Sequence, residues 1–417
     1  MFQRLLDSAL AGAVVRGRLT VHHADGSVRS HGSDAGPQAA FRLNDAAATR
    51  RLVMNPALAL GELWMEGAIE PVGCDIGAVV EVLVLNQWQG GHNLIEDALG
   101  LLRQLRRRFD QLNPARRARR NVAHHYDLNG RLYALFLDAD RQYSCAYYPT
   151  GGETLEQAQA LKKRHIAAKL RLDRPGLEVL DIGCGWGGMA LHLAREWGCR
   201  VTGITLSDEQ LTEARRRAEQ AGLADRVRVE LMDYRDWNAL GDRPVDRIVS
   251  IGMFEHVGIV NYATFFRRLH GALKPEGVAL VHAIGRMSGP ANTNPWLAKY
   301  IFPGGYSPAL SEVLPAIEKA GLWVTDLEVL RLHYALTIAE WRRRFAANRD
   351  AIKALYDERF CRMFEFYLAG CEYTFRHGDH MNWQLQLTRE RMALPLARDW
   401  IFEAEQGAPA PMAIAAQ

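Results

Sequence analysis

The chain has 417 residues, 48% of them hydrophobic and 24% charged, with a formal net charge of +3. That length implies two domains, the composition is that of an ordinary globular protein, and the near-neutral charge singles out no partner. Six cysteines without a Cys-x-x-Cys pair argue against a zinc site or a disulfide framework, and no apolar run reaches the length of a membrane span. Arg4 and Asp7 interrupt any signal-peptide core, so the reducing cytoplasm is the expected compartment.

The first 110 residues have a pattern of their own. Residues 15–21 and 27–30 flank Asp25-Gly26 as in a hairpin, and helical patterns follow at 45–54, 58–66, 76–86 and 94–109. No glycine-rich ligand turn occurs there, which suggests a small α+β domain for binding or association. Residues 111–150 read as a basic linker running into a polar and aromatic segment. Eight arginines (Arg103, Arg106, Arg107, Arg108, Arg116, Arg117, Arg119, Arg120) face only Asp110. Each would contribute about 1 kcal/mol beside an acidic bilayer. A solvated linker is the plainer reading, and nucleic acid ranks last because no recognition motif accompanies the run. His124, His125 and Asp127 lack the spacing of a metal site, and no metal is expected.

From residue 151 to 395 the pattern becomes an alternation of strand and helix, the mark of a parallel sheet. A helix at 155–170 precedes candidate strands at 178–182, 200–205, 227–232, 246–251, 277–284, 323–331 and 381–387. Helices fall at 189–197, 208–221, 262–273 and 311–321, the second capped by Ser207. Two aromatic-rich insertions, 286–308 and 333–380, break the alternation, and residues 396–417 form a tail that ends without expected structure.

The first strand runs into Asp181-Ile182-Gly183-Cys184-Gly185-Trp186-Gly187-Gly188. Glycines tolerate positive φ and let a ligand approach the backbone, and the strand–turn–helix context makes this a nucleotide pocket. No Gly-Lys-Ser/Thr follows, which excludes a P-loop. The turn resembles motif I of the S-adenosylmethionine-dependent methyltransferases. Ligands in such sheets gather at the strand C-termini, here 181–188, 205–210, 233–234 and 252–255. Thr205 and Gln210 replace the ribose-binding carboxylate of dinucleotide enzymes, which weakens an NAD reading. Tyr234 is expected against adenine and Asp233 on its amino group, with plain packing of Tyr234 and Trp237 as the alternative.

Further segments fit one family: Tyr143-Ser144-Cys145-Ala146-Tyr147, Asp233-Tyr234-Arg235-Asp236, Met253-Phe254-Glu255-His256-Val257-Gly258, His282-Ala283-Ile284-Gly285 and Tyr300-Ile301-Phe302-Pro303-Gly304-Gly305. Over about residues 120–390 the chain resembles the cyclopropane-fatty-acyl-phospholipid synthases, and its first 110 residues resemble that family's lipid-binding domain more loosely. The resemblance implies a class I methyltransferase fold, a Rossmann-like, mostly parallel seven-stranded sheet with helical insertions, joined to the small α+β domain. It implies S-adenosylmethionine as donor, held by Tyr143, Ser144, Asp181, Gly183, Gly185, Gly187, Thr205, Gln210, Asp233 and Tyr234.

It also implies bicarbonate as the base, held at Cys145, Glu255, His282, Ile284 and Tyr334. In that reading the backbone N–H groups of Cys145 and Ile284, the Tyr334 hydroxyl and His282 donate, and Glu255 accepts the anion's O–H. Taken singly each has a plainer role: Cys145 a small buried side chain, Glu255 a helix-start carboxylate, His282 a core histidine. The implied partner is an unsaturated phospholipid at an anionic membrane surface, with the enzyme peripheral to the inner face, and the resemblance alone implies a homodimer. Methyl or methylene branching without ring closure is the second reading. An inactive lipid-binding scaffold and a small-molecule methyltransferase are further alternatives.

Overall fold

The computed structural model describes residues 1–87, 130–240 and 244–407. Residues 94–109, the arginine run, and the His124-His125-Asp127 group lie outside them. The chain divides into two compact units, one from Met1–Asp110, Ala291–Pro303 and Ala335–His380, the other from Gln111–Pro290, Gly304–Tyr334 and Met381–Gln417. Much of both insertions, assigned from sequence to the catalytic stretch, therefore groups with the N-terminal residues.

In the first unit, α1 (Phe2–Ala13) precedes β1 (Arg18–His22), β2 (Val28–Gly32) and β3 (Gln38–Leu43). Then come α2 (Ala46–Met54), α3 (Pro56–Glu66), β4 (Ile69–Pro71) and α4 (Ile76–Gln87). The sheet order is β2-β1-β3-β4, with β1 antiparallel to β2 and parallel to β3. The hairpin falls where Asp25-Gly26 placed it. Asp45 caps α2 through the Ala48 N–H, and Pro56 opens α3 at a position where no N–H is needed. Leu19, Val21, Phe41, Leu43, Leu63 and Val79 bury one core. Trp64 Nε1 donates to the Arg362 carbonyl (2.8 Å) and Lys299 Nζ to Glu62 (2.7 Å), which fastens both inserted segments to α3.

The second unit holds α5 (Gly130–Phe136), α6 (Leu155–Lys169), β5 (Glu178–Ile182), α7 (Gly188–Trp197), β6 (Arg200–Thr205), α8 (Asp208–Gln220) and β7 (Val227–Leu231). β8 (Val245–Ile251), α9 (Tyr262–Ala272) and β9 (Leu273–Arg286) follow. After α10 (Pro295–Tyr300), which belongs to the first unit, come α11 (Leu310–Lys319) and β10 (Trp323–Leu330). α12 (His333–Ala347), α13 (Arg349–Leu355) and α14 (Glu358–His377) lead to β11 (His380–Thr388) and α15 (Asp399–Gly407), so part of the expected tail is helical.

The seven strands run in the order β10-β11-β9-β8-β5-β6-β7. β5 to β9 pair in parallel, and β10 with β11 antiparallel. This is the class I methyltransferase arrangement. Alternate residues of β5 feed opposite faces: Val179 joins Leu193 and Val201 on one side, and Leu180 and Ile182 join Phe265, Phe266 and Trp383 on the other. Such a doubly covered sheet opens its ligand crevice beyond the C-terminal strand ends.

Candidate active site

A cleft of about 1140 Å³, counting the part open to solvent, lies at those strand ends. Its walls include Tyr143, Ser144, Asp181, Gly183, Gly185, Thr205, Gln210, Asp233 and Tyr234, nine of the ten residues expected to hold the donor. Gly187, the tenth, lies off the cleft wall. It begins α7 at φ +80°, and a Cβ there would approach the Ala214 Cβ on α8 to 3.1 Å, so its work is helix packing. At Gly183, φ +81°, a Cβ would lie 2.8 Å from that of Met253, inside the cleft. The turn therefore needs glycine at both places for different neighbours.

Asp181 ends β5 with Oδ2 buried and unpartnered among the described residues. Burial raises its carboxyl to about 7, against the nearby charge of Lys162. An orphaned acceptor on the wall suits a ligand carrying cationic N–H groups. Ser207 caps α8 as expected and Thr205 Oγ1 donates to Gln210 Oε1 (2.8 Å), leaving a neutral wall where a dinucleotide enzyme would carry a carboxylate. Asp233 is less free than expected. Its Oδ1 accepts from the backbone and Nε of Arg235 (3.0 and 2.8 Å) and its Oδ2 from Nη2 (2.6 Å). The Tyr234 ring lines the cleft and meets Phe265 edge-on at 5.2 Å, so packing and ligand contact coexist at that residue. Its buried hydroxyl is pushed up to about 12 and has no partner among the described residues.

Glu255 sits in a short 3₁₀ turn just after β8, and its neighbour is the end of β9. Oε1 accepts the Ile284 N–H at 2.6 Å, while Oε2 is buried without a partner among the described residues. Burial pushes this carboxyl up to about 7, with the Ile284 N–H working the other way. The Ile284 N–H, implied as a donor to an anion, thus goes to Glu255 itself and fixes the carboxylate. Tyr306 adds a second brace that sequence reading missed: its N–H donates to the Glu255 carbonyl at 3.0 Å, and its hydroxyl to Glu312 at 2.6 Å.

His282, two residues before Ile284 and on the same strand face, is buried. Its Nδ1 lies 3.2 Å from the Gln384 amide and its Nε2 3.4 Å from that of Asn382. Burial, with Lys162 adding to it, lowers the ring to about 3, so it is neutral and carries one N–H. Cys145 is buried and its thiol donates to the Ala146 carbonyl (3.3 Å). Tyr334 is buried at the start of α12, next to His333, whose Nδ1 accepts the Tyr148 N–H at 2.8 Å.

The residue most hidden from sequence reading is Lys162. It lies fully buried on α6, donates to Gln142 Oε1 (2.7 Å) and Ser144 Oγ (2.8 Å), and is lowered to about 8 by burial, with Asp138 working the other way. Its charge is felt at Asp181 and His282, the two halves of the site. Beside it Asp140 is held well below the usual carboxylate range by Lys163 (2.5 Å) and Arg217, which overcome its burial. A lysine in a helical pattern reads as solvated surface, so only the fold could show it. Among the described residues no cluster of three or more His, Cys, Asp or Glu could hold a metal, and no helix is long and apolar enough to cross a membrane.

Known proteins resemble this chain in sequence and fold. The family model for mycolic acid cyclopropane synthetase matches residues 113–385, and a domain of unknown function matches 6–91. Cyclopropane-fatty-acyl-phospholipid synthase of Escherichia coli (strain K12) is 39% identical over 342 residues, 82% of this chain and 85% of the relative. A probable fatty acid methyltransferase of Pseudomonas putida is 43% identical over 263 residues, 62% of this chain and 66% of that protein. The solved structure of mycolic acid cyclopropane synthase CmaA1 complexed with SAH and CTAB has a TM-score of 0.61 and 33% identity, covering 67% of this chain and 99% of that one. With a matching family model over more than half its length and the methyltransferase sheet intact, this chain is an enzyme of the mycolic acid cyclopropane synthetase family, to which S-adenosylmethionine is the methyl donor.

Proposed function

We propose that the enzyme adds a methylene from S-adenosylmethionine across the cis double bond of an unsaturated phospholipid acyl chain, with bicarbonate as base. The observation that carries this reading is Glu255, a water-deprived carboxylate with one oxygen fixed by Ile284 and the other buried and unpartnered. An alkene is a poor nucleophile, and its attack on a sulfonium methyl leaves a carbocation-like centre in the chain. The methyl must then lose a proton before the third ring bond closes. A strong free base beside two cations would be consumed or would attack the donor. A weak base held by hydrogen bonds avoids both.

Glu255 Oε2 fits the O–H of bicarbonate, and the Cys145 N–H and the Tyr334 hydroxyl are the donors to its oxygens, joined by the single N–H of the neutral His282 once that nitrogen leaves its amide neighbour, Gln384 or Asn382. When bound, that anion supplies the base for the departing proton. Asp181, Ser144, Thr205, Gln210 and Tyr234 hold the donor, the neutral groups leaving its sulfonium unquenched. Cys371 and Cys184 have no nucleophilic part: burial pushes the first up to about 12 and the second well above its ordinary value.

The name of the Pseudomonas putida relative favours a second reading, methyl or methylene branching of the same chain when the proton leaves from another carbon. Incubation of the full chain with unsaturated phospholipid vesicles and a methyl-labelled donor, in carbonate-depleted buffer with and without added bicarbonate, separates these by lipid mass spectrometry. The cyclopropane product, formed faster with bicarbonate, is expected. Branched product alone would move the reading to the second, and a rate indifferent to bicarbonate would remove the base.

A further inference from the structure

Segment 142–147 runs beside α6 and is held by it at several points. The Tyr147 N–H donates to the Ala158 carbonyl at 3.1 Å. One Gln159 Nε2 reaches two carbonyls, those of Gln142 (3.3 Å) and Ser144 (3.0 Å). Carbonyls only accept, so the amide nitrogen must face them, and the orientation of this side chain is fixed by chemistry. Lys162, one turn further along α6, takes the Ser144 hydroxyl at 2.8 Å. Ser144 is thus gripped by backbone and side chain from one helix face, and both gripping residues are buried.

The Ser144 carbonyl belongs to the same peptide unit as the Cys145 N–H. That unit is planar and trans, with the two groups pointing in opposite directions. Whatever fixes the carbonyl therefore aims the N–H. We propose that Gln159 is a positioning residue that sets the direction of the Cys145 N–H by gripping the Ser144 carbonyl, while Lys162 keeps the peptide plane from turning. This rests on the reading above that the Cys145 N–H is a donor to the anion. It adds the device that holds that donor in place, a polar helix face that a solvated helix would not bury. A donor to the carbonyl oxygen also polarises the amide, strengthening its N–H.

The test uses the full chain with unsaturated phospholipid vesicles in carbonate-depleted buffer, titrated with bicarbonate. Gln159→Leu should raise the bicarbonate concentration for half-maximal rate roughly tenfold, the scale of one lost hydrogen bond in a buried site. Its dissociation constant for S-adenosylmethionine, measured by calorimetry, should move by less than the bicarbonate dependence does, since Lys162 still holds the Ser144 hydroxyl on the cleft wall. Gln159→Glu keeps the size but loses the amide donor, and should shift the bicarbonate dependence in the same direction if the leucine variant does not fold. An unchanged bicarbonate dependence in a wild type that does respond would overturn the positioning role alone. Parallel loss of donor binding would reduce Gln159 to a structural residue. A wild type indifferent to bicarbonate would remove the anion and this inference together.

Discussion

At Glu255 a single carboxyl is tied to the Ile284 N–H and titrates near 7 instead of 4.5. The sign of the consequence follows from linkage. Between those two values the folded chain keeps a proton that the unfolded chain has released, so stability falls as pH rises through that window. For a shift of that size the loss is on the order of 3 kcal/mol. Glu255→Gln cannot lose this proton. It should unfold at higher denaturant than the parent at pH 8, with the difference vanishing near pH 4. Turnover should fall by roughly a hundredfold or more while donor binding persists, because the proposed base loses the carboxylate that orients it. Retained turnover, or a stability difference that does not change with pH, would take Glu255 out of this role. Glu255 stood out in the sequence because Phe-Glu-His-Val-Gly follows the fourth strand of the sheet and carries the family resemblance. Its two braces were not, since Ile284 and Tyr306 reach it only through the adjacency of β8 and β9 and the return of the chain after residue 304.

At the scale of elements, the same glycine turn serves two interfaces. Gly183→Ala would push a Cβ onto Met253 at the cleft, and Gly187→Ala would push one onto Ala214 of α8. Each substitution also places alanine at a left-handed φ, which costs about 1–2 kcal/mol. Gly187→Ala is expected to lower unfolding stability by about 2 kcal/mol with donor affinity within a few-fold of wild type. Gly183→Ala should lose donor binding as well. Calorimetry and denaturant unfolding of both variants check this, and equal donor affinity in the two would contradict the assignment of Gly187 to packing. Elements with clean periodicity were legible, above all the alternating strands and helices from β5 to β9. β3 escaped although Ala39, Phe41 and Leu43 alternate inward, because Arg42 and a polar run before it mask the pattern. α6 was legible as a helix, but its buried Gln159, Lys162, His165 and Lys169 invert the usual assignment of polar residues to solvent. The grouping of α14 with α3 and α4 depends on contacts nearly 300 residues apart, such as Trp64 with Arg362, which local patterns do not encode.

At the scale of the whole molecule, charge is unevenly distributed along the chain. The eight arginines and single aspartate between residues 103 and 120 carry seven net positive charges, more than the chain's total of +3. The remainder is therefore net negative. An anionic bilayer would attract that segment and repel the rest, so the attraction must act at short range, within a Debye length of about 8 Å at physiological salt. Under the proposed function the acyl chain would be drawn from such a surface, and the segment would serve to recruit it. Replacing Arg116, Arg117, Arg119 and Arg120 with glutamine should weaken association with anionic phosphatidylglycerol vesicles at low salt by at least tenfold, given about 1 kcal/mol per charge. Wild-type binding should fall toward that of the variant as salt is raised. Turnover on detergent-dispersed unsaturated lipid, where no charged surface recruits the enzyme, should be the same for both. Sedimentation of vesicles at several salt concentrations measures the first two effects and a product assay in neutral detergent the third. Equal vesicle binding at low salt would mean that the arginines only join two folded units, and equal loss in detergent would mean that they act at the site itself.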